Sequence, residues 1–383
     1  MFKLLKNGTC YGSQFLGKKD VLIVHNKIYK IAENIPSENI PDLEIIDCTD
    51  KIVCTGFIDQ HLHITGGGGE EGFISRIPEI KFSDIVSGGI TTVVGVLGFD
   101  SITRNIEGLL AKARGLEAEG LNTYIYTGSY EVPTATITGK AMKDITLIDK
   151  IIGIGEIAIS DHRSSHPSID MLKEIAYEAR MGGLLSKKAG IVHIHVGDGK
   201  NGLKPLIELL ESSDFPIDMF VPTHLNRNKT LFHQAIEFAN SGGNIDLTSG
   251  QSSETGYSVP DALELILKEK VPIDRVTVSS DGNGSIPANT SGASVGKALQ
   301  LFEDIRICVL ERKLDILTVL KTVTENVAKR IKLYPQKGAL AEGSDGDILV
   351  INMQNFSISN LFIGGEKFVD NGMIIRKGLY EDL

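Results

Sequence analysis

The sequence predicts an α/β fold: a TIM-like (β/α)8 barrel carrying a small β-sandwich assembled from both chain ends. Three observations predict it. Between residues 56 and 339, short apolar strand-like runs alternate with helical stretches. Both ends of the chain read instead as short extended runs broken by Gly, Asn and Asp, and neither end alone makes a good core. Several of the central runs also finish on a histidine or an acid, which is where a barrel of this kind places its chemistry.

The elements follow in order. Residues 1–55 are strand-like: "DVLIVHNKIYKIAENI" alternates around a turn at His25-Asn26-Lys27, and "LEIIDCTDKIVCTGFID" continues extended. Residues 340–383 have the same character, as in "GDILVINMQNFSISNLFIGGEKFVDNGMIIRKG". The barrel, residues 56–339, takes its strands from "GFIDQHLHI", "GITTVVGVLG", "LNTYIYTGS", "IIGIGEIAIS", "AGIVHIHVG", "DMFVPTHLN", "GGNIDLTS" and "RVTVSSDG". Helical patterns lie between them, in "IEGLLAKARGLEAEG", "SIDMLKEIAYEARMGGLLSKK", "LKPLIELLESS", "TLFHQAIEFANSGG" and "PDALELILKEK". An open Rossmann-type sheet fits less well, because no GxGxxG follows the first strand. The glycine run at residues 66–69 is not a P-loop, since no GK[ST] follows it.

Bulk properties narrow the class. The chain has 383 residues with 42% hydrophobic content, enough for one large domain and a smaller one. A net charge of −10 argues against nucleic acid or an anionic membrane as the main partner. Cys10, Cys48, Cys54 and Cys308 have no CxxC spacing and read as reduced thiols of a cytoplasmic protein. The N-terminus lacks a long apolar stretch, and no run is long enough to span a bilayer.

The stretch "GFIDQHLHITGGGGEEG" holds His61 and His63 one residue apart. On a strand they share a face, with Phe57 and Asp59. A lone histidine is more often a hydrogen-bonded core residue than a ligand. Here the other strands add Glu156, His195, His224 and Asp281, each at or near a strand end. His193 shares a face with His195 but lies one layer deeper and is read as core. Four histidines and two carboxylates at one barrel mouth suit a pair of divalent cations, Zn2+ by donor type. Metal binding can bring the pKa of water from about 15.7 to about 7 and polarise a carbonyl. Asp281, beside that nucleophile, can move the proton to a leaving amine. The chemistry expected is hydrolysis of an amide or cyclic amide.

These residues carry a resemblance. The HxH of "GFIDQHLHI", with His195, His224 and Asp281, resembles the amidohydrolase superfamily. More narrowly, "QHLHITGGGGE", "TGSYEVP", "ISDHRSS", "THLNRN" and "SSDGNGS" together resemble its isoaspartyl dipeptidase (β-aspartyl peptidase) family, over residues 15 to 380 or so. The resemblance implies that His61 and His63 bind one metal, and His195 and His224 the other. It implies that Asp281 ligates and shuttles a proton, and that Glu70, with Gly68 and Gly69, holds the α-amino group of a small dipeptide substrate. Arg163, Arg227 and Ser285 would bind its carboxylates, a task suited to planar guanidinium groups. Tyr130 would donate to the developing oxyanion. A homo-oligomer, an octamer, is also implied.

Two departures stand out. Family members commonly carry a carbamylated lysine on the fourth strand, bridging the metals; here the aligned residue is Glu156, and no lysine occurs from Ile151 to Leu172. A glutamate can bridge directly, giving a binuclear site, or be held by hydrogen bonds beside a single metal. Phe99 stands where a threonine is common, near the substrate. Two competing readings remain open: an amidohydrolase acting on a cyclic amide or N-acyl amino acid, and a non-catalytic scaffold relative. The first would not need Glu70, Arg163, Arg227 and Ser285 together; the second would not keep the metal ligands.

Overall fold

The computed structural model describes residues 2–38, 40–286 and 294–381. The N-terminal strands are β1 (Phe2–Tyr11), β2 (Phe15–Val24), β3 (Lys27–Ala32), β4 (Leu43–Asp47) and β5 (Lys51–Thr55). The turn at His25-Asn26 joins β2 to β3, with His25 at φ 52°, the left-handed conformation such a tight hairpin needs. Eight strands follow: β6 (Phe57–Leu62), β7 (Ile90–Gly95), β8 (Asn122–Thr127), β9 (Ile151–Ile159), β10 (Ile191–Val196), β11 (Phe220–Thr223), β12 (Ile245–Thr248) and β13 (Val276–Ser279). They match the eight expected runs. A short pair, β14 (Ser285–Ile286) and β15 (Ser294–Val295), precedes the C-terminal β16 (Ile348–Asn352), β17 (Ile358–Ile363), β18 (Glu366–Asp370) and β19 (Met373–Ile374).

The two chain ends meet as expected. β16 pairs antiparallel with β5, so C-terminal strands continue the N-terminal sheet. The ends were expected to form a sandwich; their hydrogen bonds make one continuous nine-stranded sheet. β1 makes this possible by pairing with β4 over Phe2–Lys6 and with β5 at Thr9 and Cys10. A separate apolar cluster, including Leu5, Val21, Ile23, Val53, Ile348 and Phe362, packs within it.

β6 to β11 form a curled six-stranded parallel sheet, and β12 and β13 a second parallel pair. Backbone bonds connect the two at both edges, from Leu225 N to Asp246 O (3.3 Å) and from His63 N to Gly282 O (3.0 Å). One buried carboxylate ties four of these strands together. Asp246 of β12 accepts from Gln60 Nε2 of β6 (2.7 Å), Thr223 Oγ1 of β11 (2.7 Å), and Thr277 Oγ1 (2.6 Å) and Ser279 Oγ (2.6 Å) of β13. Four charge-assisted bonds offset the cost of burying that charge.

The five expected helices are present, four with side-chain N-caps and the fifth with a proline in its first turn. Asn105, Ser168, Asn228 and Ser258 each accept from a backbone N–H of the first turn, and Pro205 opens the helix Lys204–Glu211. The structure adds helices that periodicity did not reveal, including Ala141–Leu147 and Leu299–Leu310. Among the described residues, no helix is long and apolar enough to cross a membrane.

Candidate metal centre and substrate cavity

Four histidines and a glutamate converge where β6, β9, β10 and β11 end. His61 lies in β6 with His63 directly after it, Glu156 in β9, His195 in β10, and His224 directly after β11. All five are buried. Their donor atoms form two sets, His61–His63–Glu156 and Glu156–His195–His224, with atoms of each set within 4.8 Å of one another. Glu156 belongs to both. Its Oε2 lies 3.5 Å from His61 Nε2, 3.3 Å from His195 Nδ1 and 3.6 Å from His224 Nε2, and its Oε1 lies 3.5 Å from His63 Nε2.

Those spacings fit metal ligation. A cation about 2.1 Å from each of two donors in tetrahedral geometry sets them about 3.4 Å apart. His61 Nε2 and Glu156 Oε1 are moreover buried without a hydrogen-bond partner. Leaving such atoms unpaired is costly, and cations between the two sets would satisfy both.

Three of the four imidazoles are aimed from behind. His61 Nδ1 meets His193 Nε2 at 2.8 Å, His195 Nε2 meets Asp161 Oδ2 at 2.9 Å, and His224 Nδ1 meets Thr248 Oγ1 at 2.8 Å. In each case the engaged nitrogen leaves the other one facing the centre. His193 is thus buried as expected, yet it touches a candidate ligand rather than only filling the core. Gly155 makes room for the side chain that the neighbouring parallel strand β10 presents there, since a Cβ would lie 2.7 Å from His193 Cβ.

Asp281 closes the cluster, with Oδ1 3.1 Å from His63 Nε2 and 3.4 Å from His61 Nε2. Asp281 and His224 both adopt positive φ, 50° and 63°. This backbone conformation is costly for non-glycine residues and clusters at functional sites. The charges are strongly coupled. Burial alone would raise the Glu156 carboxyl, but the charge of His61 and hydrogen bonds from His195, His224 and His61 hold it well below the usual range. Burial, and the charges of Arg227 and His195, bring His224 down to about 3. Burial would also lower His61, but Glu156 and Asp281 outweigh it and lift it to about 9.

Above the centre lies a cavity that opens to solvent. Glu70 Oε1 accepts from Arg163 Nη1 at 3.0 Å and from Ser285 Oγ at 2.7 Å. Arg227 Nη1 donates to Val196 O at 3.1 Å and lies 3.4 Å from His195 Nε2. The Tyr130 hydroxyl is 2.8 Å from His195 Nδ1, and its ring carries the Arg163 guanidinium 5.2 Å from its centroid. Phe99 and Gly68 line the same cavity. Gly68 must be glycine: at φ 73° a Cβ would lie 2.4 Å from Ser75 O, so the loop folds tightly enough to bring Glu70 over the mouth. Gly69 follows at φ 110°, against the Phe99 ring.

A sequence profile described as the amidohydrolase family matches residues 52–368. The chain belongs to the amidohydrolase family. Among solved structures it is similar to the β-aspartyl dipeptidase of Fervidobacterium islandicum AW-1 in complex with β-Asp-Leu, with 45% identity over 98% of each chain and a TM-score of 0.91. It shares the fold of the dihydropyrimidinase from Brevibacillus agri NCHU1002, at 17% identity over 98% of this chain and 96% of that one, with a TM-score of 0.67. Among curated sequences it is 27% identical to a dihydroorotase of Fusobacterium nucleatum, a match spanning 60% of this chain and 53% of that enzyme.

In this amidohydrolase the six expected ligands meet at one centre, and the expected substrate residues line one cavity or, for Gly69, sit at its edge against Phe99. Neither lysine flanking Glu156 reaches the centre: Lys150 pairs with Glu117, and Lys173 with Asp170 at 3.8 Å. Sequence reasoning missed Asp161 and Thr248 behind the ligands. Asp161 could have been found as the acid two residues before Arg163 in "SDHRS"; Thr248 carries no signal beyond its strand-end position.

Proposed function

We propose that the chain is a metal-dependent hydrolase of β-aspartyl (isoaspartyl) dipeptides. The observation that carries this is the joining, in one cavity over the candidate metal centre, of Glu70, Ser285 and two guanidinium groups, Arg163 and Arg227. A β-aspartyl dipeptide has one ammonium and two carboxylates. One acid and two arginines complement that charge pattern. The likeness to a β-aspartyl dipeptidase over nearly the full chain supports the same reading.

Two divalent cations, Zn2+ by donor type, would be held by His61 and His63 on one side and His195 and His224 on the other, with Glu156 shared. When bound, they supply a nucleophilic hydroxide at neutral pH and polarise the scissile carbonyl. The protein's own groups do the rest. Glu70 anchors the α-ammonium, so a β-linked carbonyl falls one carbon farther from the anchor than an α-linked one. Arg163, Arg227 and Ser285 fix the carboxylates, which removes rotational freedom before reaction. Tyr130 donates to the oxygen as charge develops on it. Asp281 takes the proton of the nucleophile and delivers it to the departing amine.

The same reading treats β6 to β13 as one eight-stranded barrel domain, residues 56–339, with residues 1–55 and 340–383 as the small domain. Four buried free cysteines favour a reducing, cytoplasmic setting, and the family resemblance favours an octamer. A panel of β-Asp-Leu, hydantoin and N-acetyl-leucine tests the substrate class. Cleavage confined to β-Asp-Leu is expected; ring opening of hydantoin without dipeptide cleavage would overturn the proposal.

A further inference from the structure

Asp161 touches both halves of this site, the candidate ligand His195 and the cavity-lining Arg163. It lies just past β9, nearly fully buried at 6% exposure. Its carboxylate accepts four hydrogen bonds. Oδ1 takes Arg163 N (2.8 Å) and Arg163 Nε (3.0 Å); Oδ2 takes Arg163 Nη2 (3.0 Å) and His195 Nε2 (2.9 Å). That uses the whole acceptor capacity of a carboxylate.

The loop holding it has little freedom to move. Gly197, just past β10, packs so closely that a Cβ there would lie 2.5 Å from Asp161 Cβ. Backbone bonds from Gly197 N to Ile159 O (3.0 Å) and Gly199 N to Ser160 O (2.6 Å) join the two loops. The carboxylate is therefore a fixed point between a metal-facing imidazole and a guanidinium.

We propose that Asp161 is a positioning residue that holds His195 and Arg163 together, turning His195 Nδ1 to the metal centre and Arg163 Nη1 to the substrate. The His195 half rests on the metal fit, and the Arg163 half on the peptidase reading. The geometry explains why a carboxylate is needed. Gripping Nε and Nη2 leaves Nη1 as the guanidinium nitrogen that reaches Glu70. Accepting from His195 Nε2 puts the ring proton on that nitrogen and leaves Nδ1 unprotonated toward the cation.

Asparagine cannot replace it. A carboxamide has one acceptor oxygen and one NH2. The Oδ1 position faces two donors of Arg163, so the amide oxygen stays there and the NH2 faces His195 Nε2. That nitrogen must then accept, and the ring proton moves to Nδ1, where it opposes the cation.

The test compares wild type, Asp161→Asn and Asp161→Ala, each stripped and titrated with Zn2+ against a chromophoric chelator. Asp161→Asn is expected to bind one of two equivalents 10–100-fold more weakly, the range for outer-shell partners, and the other as wild type does. Asp161→Ala is expected to show the same metal loss and to raise KM for β-Asp-Leu about 10-fold through Arg163. It also stands in if the Asn variant does not fold, as judged by far-UV circular dichroism. Wild-type affinity for both equivalents in either folded variant, or no metal binding by wild type, would overturn the proposal. A wild type that binds two equivalents without cleaving β-Asp-Leu would refute the peptidase reading while the metal comparison still decides the role of Asp161.

Discussion

Glu156→Gln is the most informative single change to the centre. Glu156 is the only residue in both donor sets, and it lies 3.3–3.6 Å from nitrogens of all four histidines. Glutamine keeps the volume but offers one acceptor and places an NH2 among the ligands. Losing an outer-shell partner costs about 10–100-fold in metal affinity; for a direct ligand about 100-fold per site, or about 2.7 kcal/mol, is a conservative figure. With Zn2+ in excess, stabilisation from binding falls by that amount at each site, about 5.5 kcal/mol for the pair. Unfolding entropy of about 2.1 cal/mol/K per residue gives a chain of 383 residues about 0.8 kcal/mol/K. The gap between Zn2+-loaded and chelated melting temperatures should therefore shrink by about 7 °C in the variant. Differential scanning fluorimetry with and without chelator measures it, referenced within each protein. A Gln variant that keeps the wild-type gap, two tightly bound metals and full activity would refute the bridging role.

Other outcomes follow from the same geometry. Asp281→Asn should lower kcat about 10²–10⁴-fold, the range for a positioned proton shuttle, with KM little changed in steady-state assays. Glu70→Gln removes the partner of the substrate ammonium, and a charged hydrogen bond of about 1.5–3 kcal/mol predicts a 10–100-fold fall in kcat/KM for β-Asp-Leu. The thiols give a pH test. Burial pushes Cys10 and Cys48 up to about 12, so their stabilising contribution is complete below the unfolded thiol value of about 8.5 and is lost as pH rises toward 12. Each should cost about 1.4 kcal/mol per pH unit across that window in denaturant melts, and neither should react with iodoacetamide at pH 8 before unfolding.

The barrel strands and the first layer of the site were legible because both depend on local order. His61 and His63 alternate on one strand, His224 and Asp281 follow their own apolar runs, and Glu156 and His195 lie within theirs. Glu156 could be read because no lysine stands between Ile151 and Leu172. What lay behind the ligands could not be read. The Asp161–His195 and His61–His193 contacts depend on inter-strand register, and β9 and β10 carry a register shift between Val192 and Ile194. His193 was assigned to the core by depth alone, which is right about burial but silent about its neighbour. Helix Leu299–Leu310 was missed for a physical reason: it starts at Ala298 without a side-chain cap. The continuous sheet of the ends was illegible because β1 divides its pairing between two strands, which no single-strand pattern reveals.

The most direct test of the account is the kcat/KM of Zn2+-reconstituted protein for β-Asp-Leu against α-Asp-Leu, with a chelated control. The account predicts cleavage of the β-linked peptide that the chelator abolishes, and little or no cleavage of the α-linked one. Equal cleavage of both peptides, or cleavage that survives chelation, would contradict it.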